Sequence, residues 1–399
     1  MKPFHKIVAA LLAVILVASV AGCVPVSITK QWGYKYSDKT LSKQYDIGTY
    51  IYCLYQAYSE AKTYAQKAKG YKENEPFTDL KITDDDGKKA VAKDWIKDKA
   101  EENMLGVIAV DYLFKKDGAT YDEAEIKAAK KQAQDAWDMG PYANYGYYQP
   151  IKAEVEQYGV SEESYAYVSY LASVKQSAIF DKLYDKGGLE EVTNKKLADF
   201  FLKNYVDYSY IPVHLYKSST DSSGNAKSEK FDKKKIKKIK SELQTIVDEL
   251  SNGSTTFDKA SKKCIKDYGT TESDVVTNTV STKEELESSN ADIAKAYKKL
   301  KNGESTLVVV GESGDSPTAY IVVKNDLNKD VKKYTEGTER KTVLQKMKGD
   351  ALKDVIKKTG KDLKKSQALS KNDGTINRYD PSMFYEKPQE TTAAATSAQ

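Results

Sequence analysis

Histidine is nearly absent from this chain: two occur in 399 residues, His5 and His214, and cysteine occurs three times. His5 lies in an apolar N-terminal segment read below as a cleaved leader, so the mature chain keeps His214 alone. One histidine excludes a histidine-rich metal site. Cys23 ends the same segment, which leaves Cys53 and Cys264 in the body. These two either pair in an oxidising compartment or stay apart as buried thiols, behaving as small hydrophobes; buried thiols are the preferred reading. A charge excess of one sign is also missing. The 63 basic and 58 acidic residues leave a formal +5, and loss of Lys2 and Lys6 with the leader lowers it to +3. A nucleic-acid binder would carry a concentrated basic excess, so no nucleic-acid partner is expected. No long apolar run follows the leader, so the body is expected to be soluble. Charged residues make up 30% of the chain and alternate in sign, as on exposed helical faces.

What is present begins with that leader. Lys2 and Lys6 precede the apolar or small-residue run Ile7 to Val20, of signal-peptide length and short for a bilayer core of ~30 Å. Val20-Ala21-Gly22-Cys23 looks like a bacterial lipobox. Small residues expose the backbone to the processing peptidase, and the Cys23 thiol is the atom that becomes lipidated. The expected mature protein starts at Cys23, after a leader of residues 1–22, and is lipid-anchored on the extracytoplasmic face of the cell membrane.

The mature chain is mostly helical in pattern. Ile47, Tyr50, Ile51, Leu54, Tyr58, Ala61 and Tyr64 fall at three-and-four spacing. A second amphipathic helix follows the turn Asp84-Asp-Asp-Gly87, through Val91, Trp95, Met104, Ile108 and Leu113. Thr120-x-x-Glu123 has the form of a capping box. Gly159 is expected to end one helix and Ser161 to start the next, and Thr193 to start the one that delivers the chain to a strand at Tyr208. Between helices, Tyr142-Ala-Asn-Tyr-Gly-Tyr-Tyr-Gln-Pro150 either packs its rings on the body or offers exposed tyrosines to apolar segments, since tyrosine supplies contact area at low entropic cost. Helix returns from Val331 to Lys365, and residues 387–399 are expected to be disordered.

From about Asp207 to Asp326 the pattern changes. The β-prone run Tyr208 to Tyr216 is followed by two amphipathic helices, then by apolar runs at Thr306 to Val310 and Thr318 to Val323. Leu300-Lys-Asn-Gly-Glu-Ser305 stops a helix and starts a strand. This order resembles a parvulin-type peptidyl-prolyl isomerase domain, with His214-Leu215-Tyr216 on the first strand, a loop from Ser218 to Lys230, and Phe257 to Asp267 as second helix. The flanking helices resemble the N-terminal body of SurA/PrsA-type foldases. The resemblance implies an α+β fold: a mainly helical chaperone body (23–206, closed by 327–386) with a parvulin-like domain inserted at 207–326, a small antiparallel sheet flanked by helices. The lysine run Lys233 to Lys240 reads as a solvated helix face, with attraction to anionic envelope polymers as the alternative.

The resemblance also implies the site. Rotation about an X–Pro bond crosses a barrier of ~18–20 kcal/mol and needs neither cofactor nor metal. It needs an apolar pocket for the ring and polar groups near the twisted carbonyl. His214 corresponds to the first of the family's two histidines, and Asp267 to its Cys/Asp position. Tyr320 stands where the second histidine falls, Thr271-Glu-Ser-Asp-Val275 replaces a glycine-rich stretch, and Ile293 and Tyr297 are candidates for the proline pocket. The expected function is a membrane-anchored foldase or chaperone for unfolded or nascent exported polypeptides, with a degenerate isomerase site. An active prolyl isomerase and a solute-binding lipoprotein are the alternatives.

Overall fold

The computed structural model describes residues 31–220 and 226–385. The expected leader, Cys23 and the 387–399 tail lie outside the described residues. The chain divides into two compact units, residues 1–191 with 348–399, and residues 192–347.

The first unit opens with an antiparallel hairpin of β1 (Trp32–Ser37) and β2 (Ser42–Asp46). Asp38 closes its turn by accepting from the Thr40 and Leu41 amides, each at 2.8 Å. Asp46 ends β2 and caps α1 (Ile47–Ala65), accepting from the Thr49 amide at 2.7 Å. Every residue from Ile47 to Leu54 is buried, and a helix apolar all round is one that is wrapped on all sides. The acidic turn forms a short hairpin of β3 (Lys81–Thr83) and β4 (Lys89–Val91). α2 (Ala92–Lys116) then buries Ile96, Ala100, Met104 and Ile108 at helical spacing. α3 (Glu123–Met139), α4 (Ile151–Val155) and α5 (Glu162–Ala166) follow, and a π-helical turn, Tyr167–Leu171, joins α5 to α6 (Ala172–Tyr184). Ser161 caps α5, with Ser164 N at 3.2 Å. At α3 the expected box at Thr120 does not form. Asp122 is the cap, accepting from the Ala124 amide at 2.9 Å, because a carboxylate beside the first helical residue satisfies the free amides directly.

The second unit starts with α7 (Asn194–Asn204), capped by Thr193. Next come β5 (Tyr205–His214), the ribbon β6 (Tyr216–Thr220) with β7 (Ala226–Lys230), then α8 (Lys233–Ser251) and α9 (Phe257–Tyr268). After them run β8 (Val276–Thr282), α10 (Lys283–Ser289), α11 (Ala291–Tyr297), β9 (Ser305–Val310), β10 (Thr318–Lys324) and α12 (Val331–Thr335). The sheet order is β8-β5-β10-β9, with antiparallel pairing throughout. Two features depart from the expected order. The segment read as a loop from Ser218 to Lys230 contributes paired strands, and β8 adds an edge strand, Val-Thr-Asn-Thr-Val-Ser-Thr, too polar to signal a core element. The 300–305 turn is where it was expected, with Gly303 at φ 83°, a conformation that costs glycine little.

Alternation along β5 and β10 splits this sheet into two cores. Ile211, Val213, Leu215, Ala319 and Ile321 pack on α8 and α9, whereas Val206, Tyr208 and Val322 pack on α10 and α11. The lysines of α8 face solvent, while Ile239, Leu243, Ile246 and Val247 face the sheet. That is the solvated-face reading of the lysine run.

α13 (Arg340–Lys364) leads the chain back to the first unit. There Gly360 passes close to the α2 backbone: an added Cβ would stand 3.3 Å from Leu105 O. β11 (Leu369–Lys371) pairs with β1, α14 (Asp373–Ile376) follows, and Phe384 ends among the rings of Tyr55, Tyr58 and Tyr158. The two described cysteines are free and buried in different units. Burial pushes the Cys53 thiol up to about 12 and the Cys264 thiol up to about 11. Among the described residues no helix is long and apolar enough to cross a membrane, and no group of three His, Cys, Asp or Glu side chains could hold a metal ion.

Candidate functional site

β5 sends Tyr208, Tyr210, Pro212 and His214 to the α11 side of the sheet, and β10 adds Thr318, Tyr320 and Val322 to the same face. α11 covers the lower half. The upper half is open, leaving Tyr210, Tyr320, Tyr216 and Val308 half-buried and His214 exposed. This forms an aromatic shelf: Tyr210 and Tyr320 meet edge to face at 5.4 Å, and the His214 and Tyr216 rings lie 4.9 Å apart. Proline is unusual in a central strand because it cannot donate to the ladder. Pro212 is accommodated because β8 leaves β5 after Tyr210, and the Thr270 hydroxyl donates to Pro212 O at 2.7 Å in its place.

The structure brings some of the expected site residues together and separates others. His214 stands opposite Thr318 in the ladder, and its Nδ1 lies 3.1 Å from the Thr318 hydroxyl. Tyr320 is opposite Pro212 and turns its ring to Tyr210. Both therefore belong to the shelf, but they share no hydrogen bond. Asp267 is exposed in the last turn of α9, a helix that packs on the other face of the sheet. Ile293 and Tyr297 are 1% and 6% exposed, which makes them core rather than pocket wall. Tyr297 also donates to Asp207 O at 3.1 Å.

The acid that bears on the shelf is Asp274, which belongs to the stretch replacing the family's glycine-rich turn. Burial raises the Tyr210 and Tyr320 phenols above their ordinary range, and neighbouring tyrosines and the Asp274 charge add to the rise. Thr318 and Asp274 escaped the sequence reading because a strand threonine and a loop aspartate carry no pattern of their own. Tyr210 could have been found, since it shares the parity of His214 on an evident strand.

A second exposed surface lies in the first unit. The loop after α3 is closed at its base by Gln149 N donating to Met139 O at 3.1 Å. Gly140 makes this possible: it holds φ 95°, and a Cβ there would stand 2.3 Å from Gln149 O. On this base Tyr145, Tyr147 and Tyr148 are 73%, 69% and 69% exposed, with Met139 at 40%. Of the two readings of this aromatic stretch, packing on the body holds only for its ends.

No protein-family model matches the chain, and no curated protein matches it at a significant level. Among solved structures it is similar to the foldase protein PrsA from Streptococcus pneumoniae, at 15% identity over 72% of this chain and 97% of that one, with a TM-score of 0.32. It is also similar to PrsA from Bacillus subtilis, at 16% identity over 73% of this chain and 93% of that one, with a TM-score of 0.25. At these scores the likeness carries no functional argument for this chain.

Proposed function

We propose that the protein is an extracytoplasmic folding factor, tethered through Cys23, that holds unfolded exported polypeptides and carries a parvulin-like domain with a degenerate site. The observation that carries this reading is the pinned loop presenting Tyr145, Tyr147 and Tyr148 to solvent. Rigid amphipathic rings gain contact area at small entropic cost, and contiguous exposed apolar surface marks an interaction site. The shelf on the second unit supports the same reading, since Tyr210, Tyr320 and Val308 offer an apolar seat beside His214. The degenerate character rests on His214 having a threonine hydroxyl, and no second imidazole, as its partner. A threonine hydroxyl can donate or accept, but it does not titrate near neutral pH as a second imidazole would. The alternative of a solute-binding lipoprotein is not favoured, because every strand pair described is antiparallel and two-lobed α/β binding folds need parallel strands with helical crossovers.

The test combines two assays on the purified chain. Wild type is expected to suppress aggregation of a reduced, unfolded model protein, and the Tyr145→Ser/Tyr147→Ser/Tyr148→Ser variant to lose most of that effect while keeping its melting temperature. Equal suppression by the variant would remove the loop from the function. Exchange NMR on an Ala-Pro peptide is expected to show no acceleration over thermal isomerisation. Fast turnover that disappears in His214→Ala would instead establish the active-isomerase alternative.

A further inference from the structure

The first unit contains a charged cluster that the proposed function does not use. Asp111 of α2 is buried at 4% exposure, and four groups converge on its carboxylate. Lys43 Nζ and the Tyr45 hydroxyl donate to Oδ2 at 2.9 and 2.8 Å. The Tyr167 hydroxyl donates to Oδ2, and Lys175 Nζ donates to Oδ1. Tyr167 is the first residue of the π-helical turn, a single-turn arrangement that is frequent at functional sites. Its hydroxyl also accepts from Lys43, and its ring lies 3.9 Å from the Lys43 ammonium.

Two lysines on one carboxylate leave charge and donors unspent. Each ammonium has three N–H groups, of which Asp111 and Tyr167 take at most two. Both lysines line an open cavity of about 130 Å³, together with Leu41, Asp111, Phe114, Lys115 and Tyr121. Three cations and one anion thus give the lining a formal +2. Asp46 also acts on Lys43, but it caps α1 and is not part of the lining. The rest of the lining is apolar or aromatic: Leu41 is buried, and the Phe114 and Tyr121 rings stack at 5.2 Å. At about 130 Å³ the cavity has room for a short aliphatic group carrying a carboxylate, and its opening lets a longer ligand extend into solvent.

We infer that this cavity binds a carboxylate carried on a short aliphatic group, the chemistry that ends a polypeptide chain. One carboxylate oxygen meets the spare N–H of Lys43 and the other that of Lys175. Lys115 adds charge at the mouth, and the aliphatic group lies on Leu41 and Phe114. The opening leaves room for a preceding backbone. The same chemistry could come from a free small carboxylate, and the test separates the two sources.

Calorimetric titration of the purified full chain would use an N-acetylated tetrapeptide ending in leucine, its C-terminal amide, and 3-methylbutanoate. The acid peptide is expected to bind and the amide to bind at least about tenfold more weakly, as for loss of hydrogen bonds to a charged group. Lys115→Gln, at an exposed position, is expected to weaken the acid peptide about fivefold or more by loss of a charge contact, with an unchanged melting temperature. If 3-methylbutanoate binds as tightly as the acid peptide, the carboxylate site stands and its ligand is a free small acid. Equal binding of acid and amide, or no binding of either acid, would overturn the inference.

Discussion

Asp111→Ala is expected to destabilise the first unit by about 3–5 kcal/mol, the usual cost of breaking a buried ion pair on one side. The substitution removes the acceptor of Lys43, Tyr45, Tyr167 and Lys175 together and leaves two ammonium groups facing one another. The effect depends on pH in a defined direction. Burial pushes the Asp111 carboxyl up, but the charges of Lys43 and Lys175 and their hydrogen bonds outweigh it and hold the group below the usual carboxylate range. A carboxyl with a depressed folded pKa contributes stability above its unfolded value, about 3.9, and loses it as pH falls through the folded value. Wild type and variant should therefore differ fully at pH 7 and converge only below about pH 4. Trp32, Trp95 and Trp137 are the three tryptophans of the chain and all lie in the first unit. Urea unfolding followed by tryptophan fluorescence thus reads this unit alone. A loss under about 1 kcal/mol, the scale of an exposed pair, would mean that Asp111 does not hold the cluster together.

The second large effect is expected in the other unit. Arg340 is 6% exposed. Its guanidinium donates to Val192 O at 2.9 Å, Thr335 O at 2.9 Å and Asn194 Oδ1 at 3.1 Å. It therefore ties the start of α7 and the end of α12 to the start of α13, where the chain enters and leaves this unit. Arg340→Met keeps much of the length but leaves these acceptors unpaired, at an expected cost of about 3 kcal/mol. Arg340→Lys should recover little, because one ammonium cannot span the three acceptors of a planar fork. Amide hydrogen exchange resolved by peptide mass would show faster exchange in β5 and β10, with the tryptophan transition unmoved. Unchanged protection in residues 192–347 would refute the clamp.

This clamp also bears on the boundary of the second unit. The change from helical to strand patterning near Asp207 is visible in the residues, and it marks where the sheet begins. The compact unit runs from 192 to 347, because α7 and α12 pack together through the stacked rings of Phe201 and Tyr334, 4.8 Å apart. Neither ring announces that contact in the chain. Amphipathic spacing says that a face must be buried, but it does not say against what.

The sequence by itself determined the scarcity of histidine, the amphipathic faces, the caps at Ser161 and Thr193, the 300–305 turn and the strands at Tyr208 and Thr318. Each of these follows from local periodicity or backbone chemistry acting over a few residues. Tertiary structure alone decided which side chains meet. It paired His214 with Thr318 across 104 positions and placed Asp267 on a helix of the opposite face. It buried Ile293 and Tyr297, and it raised three tyrosines into solvent on a base only glycine could close. It also gathered Lys43, Tyr45, Tyr167 and Lys175 around the Asp111 carboxylate. Such convergence is set by strand register and helix packing, and both depend on the whole chain being folded.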